Sequence, residues 1–496
     1  MKRALTVLTA AALIAGTVPL ALAAEPYNEF NDRGITVVNN DKLSMDIWGR
    51  GQMLGVGEIV PDPVSGAGHE RVYEFLKQAR LGFNGKVNDL FNFQIEMDYG
   101  GENQNSSQSS AGSYDLMDFV ADVPVRPLGE NTIVKIGQFR VPYGREVLQD
   151  EGYQDFGDRS IAALATNHGR DFGVALMGTH ENWTGTIGTF PDGGRDIAQR
   201  YLPENMGIPE LVTRFGYNDG VDKDIYHVMG TDRNLTRDTK AFFLNGLFET
   251  DTRIGHSTAL QSHSTDGNLL EDKNFNPYFD RSNQSSLTAN NTGICSASTC
   301  ERGRLWNVGG DAVYRHPISK DQAVEGEGEV DWGGYNNRYG TLHIASARAQ
   351  GDYQLGKWEI GARYALLSLD SNSGYLSVTG AAGVPANEAF SHATVSGNGG
   401  SNTTTQYTTG MGKPIHEITP SITYHFMGQT MKLVADMPIY LDVPLIIAAG
   451  DGAYVFPDQG GASPAWDQIT AAAGGVGDSV IRRVVVEPRM MFQWQF

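Results

Sequence analysis

Apolar and polar side chains alternate strictly over several stretches of this chain. In FNFQIEMDY, Phe91, Phe93, Ile95, Met97 and Tyr99 share one face, and Asn92, Gln94, Glu96 and Asp98 share the other. Successive side chains of a strand point to opposite faces, so the segment is predicted as a strand between an apolar medium and water. A core strand of a soluble sandwich alternates in the same way. The aromatic residue at each end of the apolar face favours a membrane barrel, whose rings sit at the two headgroup levels.

The preceding segment, FLKQARLGFNGKV, sets Phe75, Ala79, Leu81, Phe83 and Val87 against Gln78, Arg80, Asn84 and Lys86. Lys77 interrupts the apolar face and is expected to snorkel to an interface. The link Asn88-Asp89-Leu90 is short enough for a hairpin. Similar hairpins are predicted across Leu355-Gly356-Lys357, ahead of WEIGARYAL, and across Met427-Gly428-Gln429, between HEITPSITYHF and TMKLVADM. Long polar stretches lie between them and are assigned to loops: Gly100 to Ser113, Pro191 to Lys240, Ser264 to Arg302, Ser371 to Pro414 and Pro438 to Asp478. Tight turns alternating with long loops are the asymmetry of outer-membrane barrels.

The chain closes on an alternating strand. Val484, Val486, Met490, Phe492, Trp494 and Phe496 fall on one face, with Val485, Glu487, Arg489, Met491, Gln493 and Gln495 opposite. Phe492, Trp494 and the terminal Phe496 look like the signal read by barrel-assembly machinery, which makes that machinery an expected partner.

The other end specifies export. Lys2 and Arg3 precede an Ala/Leu-rich run to Leu22, and Ala21-Leu22-Ala23 offers a small-x-small cleavage site. Residues 1–23 are therefore expected to be a cleaved signal peptide, and 24–496 a single barrel domain. Beyond it no run of eighteen apolar residues occurs, so no transmembrane helix is available. Removing Lys2 and Arg3 from the 38 basic residues and setting the remainder against 58 acidic ones gives the mature chain a net charge of −22. That balance argues against nucleic-acid binding, but it does not fix pore selectivity, which depends on the few charges lining the pore. Cys295 and Cys300, in CSASTC, are expected to form a local disulfide in an oxidising exported compartment. With only these two cysteines and no CxxCH, neither a zinc site nor covalent haem is indicated.

One long segment carries a resemblance. It contains Gly137-Gln138-Phe139-Arg140, Pro142-Tyr143-Gly144, Glu146, Phe156, Asp158-Arg159-Ser160 and Arg170-Asp171-Phe172-Gly173-Val174. In these elements, in the Arg-bearing strand before them and in the terminal Phe496, the chain resembles the phosphate-selective porin O/P family. The resemblance implies an all-β transmembrane antiparallel barrel of about sixteen strands, a homotrimer, in the outer membrane of a Gram-negative bacterium. Its surroundings would be outer-membrane lipid and lipopolysaccharide.

For a channel the working residues are charges facing the lumen. Alternation assigns Arg80, Lys86, Glu96 and Asp98 there, with Arg363 opposite the apolar Trp358, Ile360, Ala362, Tyr364 and Leu366. Arg140, Arg145, Arg159 and Arg170 lie in the family-like segment, where an inward-folded loop would narrow the pore. These residues are read either as an electrostatic filter for anions or as lumen ion pairs with neighbouring acids. No HExxH or GxSxG occurs, and His168 has no partner that spacing assigns, so no enzyme, metal or cofactor is expected. Two functions stay open at this stage: passive diffusion of small charged solutes, phosphate or other anions among them, and a surface-exposed barrel serving adhesion or an envelope complex.

Overall fold

A computed structural model describes residues 34–61, 68–100, 115–129, 131–166, 169–191, 209–220, 237–253, 302–337, 340–371, 378–379, 404–405, 414–446 and 480–496. The predicted signal peptide, Cys295, Cys300 and His168 lie outside the described residues. Among the described residues no helix is long and apolar enough to cross a membrane.

One antiparallel sheet of nineteen segments forms the wall, and a separate two-residue ladder pairs Val378–Thr379 with Thr404–Thr405. A short β1 (Ile35–Asn39) precedes β2 (Leu43–Pro61), β3 (Gly68–Val87), β4 (Phe91–Asp98), β5 (Asp115–Pro124) and β6 (Thr132–Arg140). Then come β7 (Arg170–His180), β8 (Trp183–Phe190), β9 (Glu210–Asn218), β10 (Thr239–Arg253), β11 (Arg302–Ser319) and β12 (Gln322–Asn337). The last group is β13 (Gly340–Leu355), β14 (Trp358–Ser371), β15 (Ile415–Met427), β16 (Met431–Asp436), β17 (Ile439–Ile446), β18 (Val480–Val486) and β19 (Arg489–Gln495). Neighbours in sequence pair, except that β16 runs on into β17 and β18 into β19, and β19 returns to β2 through Arg50↔Gln495 to Val56↔Arg489. Closure satisfies every ladder donor and acceptor within the wall, which a membrane interior demands.

The nineteen segments make sixteen strands. Proline explains two of the breaks, because it has no N–H to give the ladder. Pro438 separates β16 from β17 and Pro488 separates β18 from β19, and the neighbouring chain bridges both through Glu487 N to Pro438 O at 2.9 Å and Gly57 N to Pro488 O at 2.8 Å. The third join is between the chain ends. Phe496 exchanges hydrogen bonds with Gly49, and β1 then pairs with β2 below that point, at Ile35↔Ile47.

Alternation places apolar side chains on the outside. Phe119, Phe172, Phe215, Leu244, Val330, Ile360 and Tyr364 are exposed there, while Glu96, Asp98, Arg214, Arg363 and Glu417 are buried facing inward. Aromatic rings cluster beside the tight turns. Trp183 packs on Phe215 and Phe242 at 5.4 and 5.9 Å, and a second run links Trp358, Tyr424, Phe426, Phe492 and Trp494 with ring spacings of 4.7 to 6.4 Å. This is an interfacial girdle.

The three predicted hairpins form, with Val87↔Phe91, Leu355↔Trp358 and Met427↔Met431 as their last pairs. Four expectations are corrected. Lys77 does not snorkel outward, because the register skips it between Gln52↔Gln78 and Met53↔Leu76. Such a bulge inserts one residue and shifts the strand's phase, so Lys77 turns inward and is buried. The same shift carries Phe75 off the lipid face and onto an interior cluster of Leu54, Val56, Val434 and Met491. The stretches Pro191 to Lys240 and Pro438 to Asp478, read as loops, contain β9 and β17. Finally, the turn end is not uniformly tight, since 219–238 connects β9 to β10 there.

Candidate functional site

The link from β6 to β7, residues 141–169, folds into the lumen. It carries two short helices, α1 (Arg145–Leu148) and α2 (Ile161–Ala165), and a 3-10 turn at Glu151–Tyr153. Gly144 starts the inward course at φ 74°, a conformation that L side chains rarely adopt. Asp150 caps the turn by accepting from Gly152 N at 2.7 Å.

Wall strands anchor the loop on opposite sides. Gln493 Nε2 donates to Gly152 O at 2.8 Å, and Lys77 Nζ donates to Gly157 O at 2.8 Å and Asp158 Oδ1 at 3.0 Å. Lys432 Nζ donates to Gln154 O at 2.6 Å. Loop amides also donate to wall carboxylates: Gly157 N to Asp436 at 2.8 Å, Ile161 N to Glu417 at 2.8 Å and Arg145 N to Glu329 at 2.7 Å. The loop crosses the lumen between these anchors, and its own side chains there are almost all buried.

Two carboxylates organise the anchoring. Glu151 receives Arg80 Nη1 at 2.9 Å, Arg159 Nη2 at 2.5 Å and Arg140 Nη2. Glu146 receives Arg363 Nη1 at 2.9 Å, Arg348 Nε at 3.2 Å and Ser160 Oγ at 2.5 Å. Burial alone pushes both carboxyls up. The guanidiniums of Arg140, Arg80 and Arg159 more than reverse this for Glu151, which lies well below the usual range, and those of Arg348 and Arg363 bring Glu146 below it as well.

The sequence-predicted pore residues separate into three groups. Arg80, Glu96, Asp98, Arg140, Arg159 and Arg170 come together on the β2–β7 side. There Arg80 meets Asp98 at 2.8 Å and Glu96 at 3.0 Å, and Arg170 meets Asp118 at 2.9 Å. Arg140 and Arg159 also donate to loop carbonyls, at Gln149 O (2.9 Å) and Glu146 O (3.2 Å), which satisfy donors without cancelling charge. Arg363 and Arg145 lie further round the barrel, Arg363 held by Glu417 at 2.7 Å. Lys86 stays apart: it is exposed at the tight-turn end, paired with Asp89 at 2.9 Å.

Arg145 differs from the rest. It is fully buried, yet none of its guanidinium nitrogens has a hydrogen-bond partner among the described residues. Its acid neighbours are Glu327, engaged by Arg348 at 3.0 Å, and Asp311, 3.6 Å away and engaged by Arg214 at 2.6 and 3.1 Å.

Sequence reasoning missed the opposite wall. Glu325, Glu327, Glu329 and Asp331 alternate along β12 and all face inward, buried. Their spacing in VEGEGEVDW was the available signal.

The comparisons agree with this architecture. The family model of phosphate-selective porin O and P matches residues 62–205, the region that supplies β3 to β8 and the lumen loop. Among curated proteins none matches the sequence. Of solved structures, an anion-selective porin from Comamonas acidovorans is 11% identical at a TM-score of 0.50, covering 92% of this chain and 100% of its own. The outer-membrane channel DcaP of Acinetobacter baumannii is 10% identical at 0.47, over 93% and 100%. OmpT of Vibrio cholerae is 8% identical at 0.44, over 92% and 99%. The resemblance seen in the motifs is thus a family match over residues 62–205, on a closed sixteen-stranded barrel. The chain is an outer-membrane porin for small solutes, a channel rather than an enzyme.

Proposed function

We propose that this porin passes small charged solutes by passive diffusion with a weak anion preference, phosphate or other anions among them, past the loop formed by residues 141–169. The observation that carries the preference is Arg145, a buried guanidinium with unsatisfied donors beside an acid already claimed by Arg214. A buried charge acts through a medium that screens it weakly, so it attracts an oxyanion passing the loop without direct contact. Arg140, Arg159 and Arg170, on the β2–β7 side, add their charge from another part of the lumen wall. The protein works as a homotrimer among outer-membrane lipid and lipopolysaccharide, delivered by barrel-assembly machinery after removal of residues 1–23. Single-channel recording in a planar bilayer tests the reading: stepwise currents in multiples of three per insertion are expected, and a protein that inserts without current would refute it.

A further inference from the structure

Where the lumen loop meets the β13–β14 hairpin, a cavity of ≈ 10 Å³ is lined by Asp155, Arg315, Glu325, Asp352 and Glu359. One carboxylate oxygen from each of Asp155, Asp352 and Glu359 lies within 4.8 Å of the others, and all three residues are buried. They come from three places: Asp155 from the loop, Asp352 from β13 and Glu359 from β14.

The protein's own donors satisfy this cluster only in part: His425 Nε2 lies 3.4 Å from Glu359 Oε2. Gln350 Nε2 serves Asp155 Oδ2 at 3.2 Å and Asp352 Oδ2 at 3.4 Å, and Arg315 Nη1 serves Glu325 Oε2 at 3.1 Å. Asp352 Oδ1 and Glu325 Oε1 are left buried with no partner, each on a side chain more than nine-tenths buried. Buried carboxylates persist as ions only when paired or bound to a cation, and one guanidinium, with the His425 imidazole beside Glu359, stands here against four acids.

We propose that Asp155, Asp352 and Glu359 bind one divalent cation, and that calcium fits best. The donor set is oxygen only, which suits hard cations and disfavours zinc. Calcium takes oxygens at about 2.3–2.6 Å, so two ligands on opposite sides of the ion stand up to about 5 Å apart. The 4.8 Å limit on the observed separations fits inside that shell. Magnesium, at about 2.0–2.1 Å, demands a near-ideal octahedron, whereas calcium accepts the irregular arrangement that three carboxylates from three different elements offer. The cavity has room for one particle the size of water, and Glu325 supplies a fourth carboxylate on its wall. A bound ion would tie the loop to the hairpin, across a junction that the acids otherwise push apart.

Isothermal titration of calcium chloride into folded, detergent-solubilised, chelator-treated protein tests this, comparing wild type with Asp352→Asn and Glu359→Gln. Heat-modifiable gel migration checks that each variant is folded. The expected result is one calcium fewer per chain in each variant, and wild-type affinity for magnesium weaker by about tenfold or more. Equal calcium stoichiometry in wild type and variants, or no calcium uptake by wild type, overturns the proposal, the carboxylates then being held by shared protons. If both wall variants fail to fold, Asp155→Asn on the loop gives the same comparison without altering a strand.

Discussion

Glu151 Oε2 lies 2.9 Å from Arg80 Nη1, and the same carboxylate also takes Arg140 and Arg159. One loop side chain thereby ties β3, the end of β6 and the far arm of its own loop into a single buried junction.

Replacing Glu151 by Gln should release that junction. Removing one partner of a buried ion pair costs about 3–5 kcal/mol, and here the loss falls on the loop's anchoring, because the closed ladder holds the barrel independently. The expected variant keeps its heat-modifiable band, conducts more than wild type and favours anions more strongly, three guanidiniums having lost their shared carboxylate. Unchanged single-channel conductance would show that the junction does not control the opening.

The depressed carboxyls also set a pH window. A carboxyl whose folded pKa is lowered contributes stability that is complete above its unfolded value, about 4.3 for Glu, and is lost as pH falls through the folded value. Glu151 and Glu146 are both lowered. Loop anchoring through these two groups should therefore be constant from neutral pH down to about 4.3 and weaken only in stronger acid. Current noise recorded against pH checks this: a rise in loop-dependent noise already between about pH 7 and 5 would contradict the assignment.

How much of this was legible depends on the range of the interaction that decides each residue. The parity of Arg363 against Ile360 and Tyr364, and the whole face from Val484 to Phe496, follow from a two-residue period that is purely local. Lys77 and Phe75 defeated the same rule because the bulge belongs to the pairing of β3 with β2, and FLKQAR alone does not mark it. The strand ELVTRFGYN was hidden by the long polar stretches on both sides, although its own residues alternate. The family-like segment pointed to an inward loop, but not to where the loop would dock. Gly157 meets Asp436 across 279 positions and Ile161 meets Glu417 across 256, distances at which no sequence spacing carries information.

Deleting Phe496, or replacing it with Asp, should reduce assembly into the outer membrane while leaving export intact. Phe496 exchanges backbone hydrogen bonds with Gly49 at 3.1 and 2.9 Å and forms the seam where the chain ends meet. Its ring is 45% exposed on the outer face, so Asp there would put a charge at the membrane-facing surface. Surface labelling of intact cells, set against periplasmic protein, reads the effect. Normal surface levels in both variants would show that the terminal ring is not needed for assembly.

Selectivity is the prediction on which whole-chain charge and local lining disagree. The whole chain's net charge of −20 favours cations if those acids reach the pore. Charges more than about 8 Å from the path are largely screened at physiological salt, whereas those at a constriction act directly on the ion. At the constriction Arg170 is balanced by Asp118, and Arg140 shares Glu151 with two other guanidiniums. Arg145 alone of these has its nitrogens free of hydrogen bonds among the described residues. Arg145→Ala should therefore move the zero-current potential in a salt gradient toward cation preference. Arg140→Ala should move it less, because the carboxylate it leaves behind is still held by Arg80 and Arg159. Arg170→Ala should act in the same direction as Arg145→Ala by exposing Asp118. A wild type that already prefers cations, or an Arg145→Ala variant with an unshifted potential, would remove the anion preference from the account.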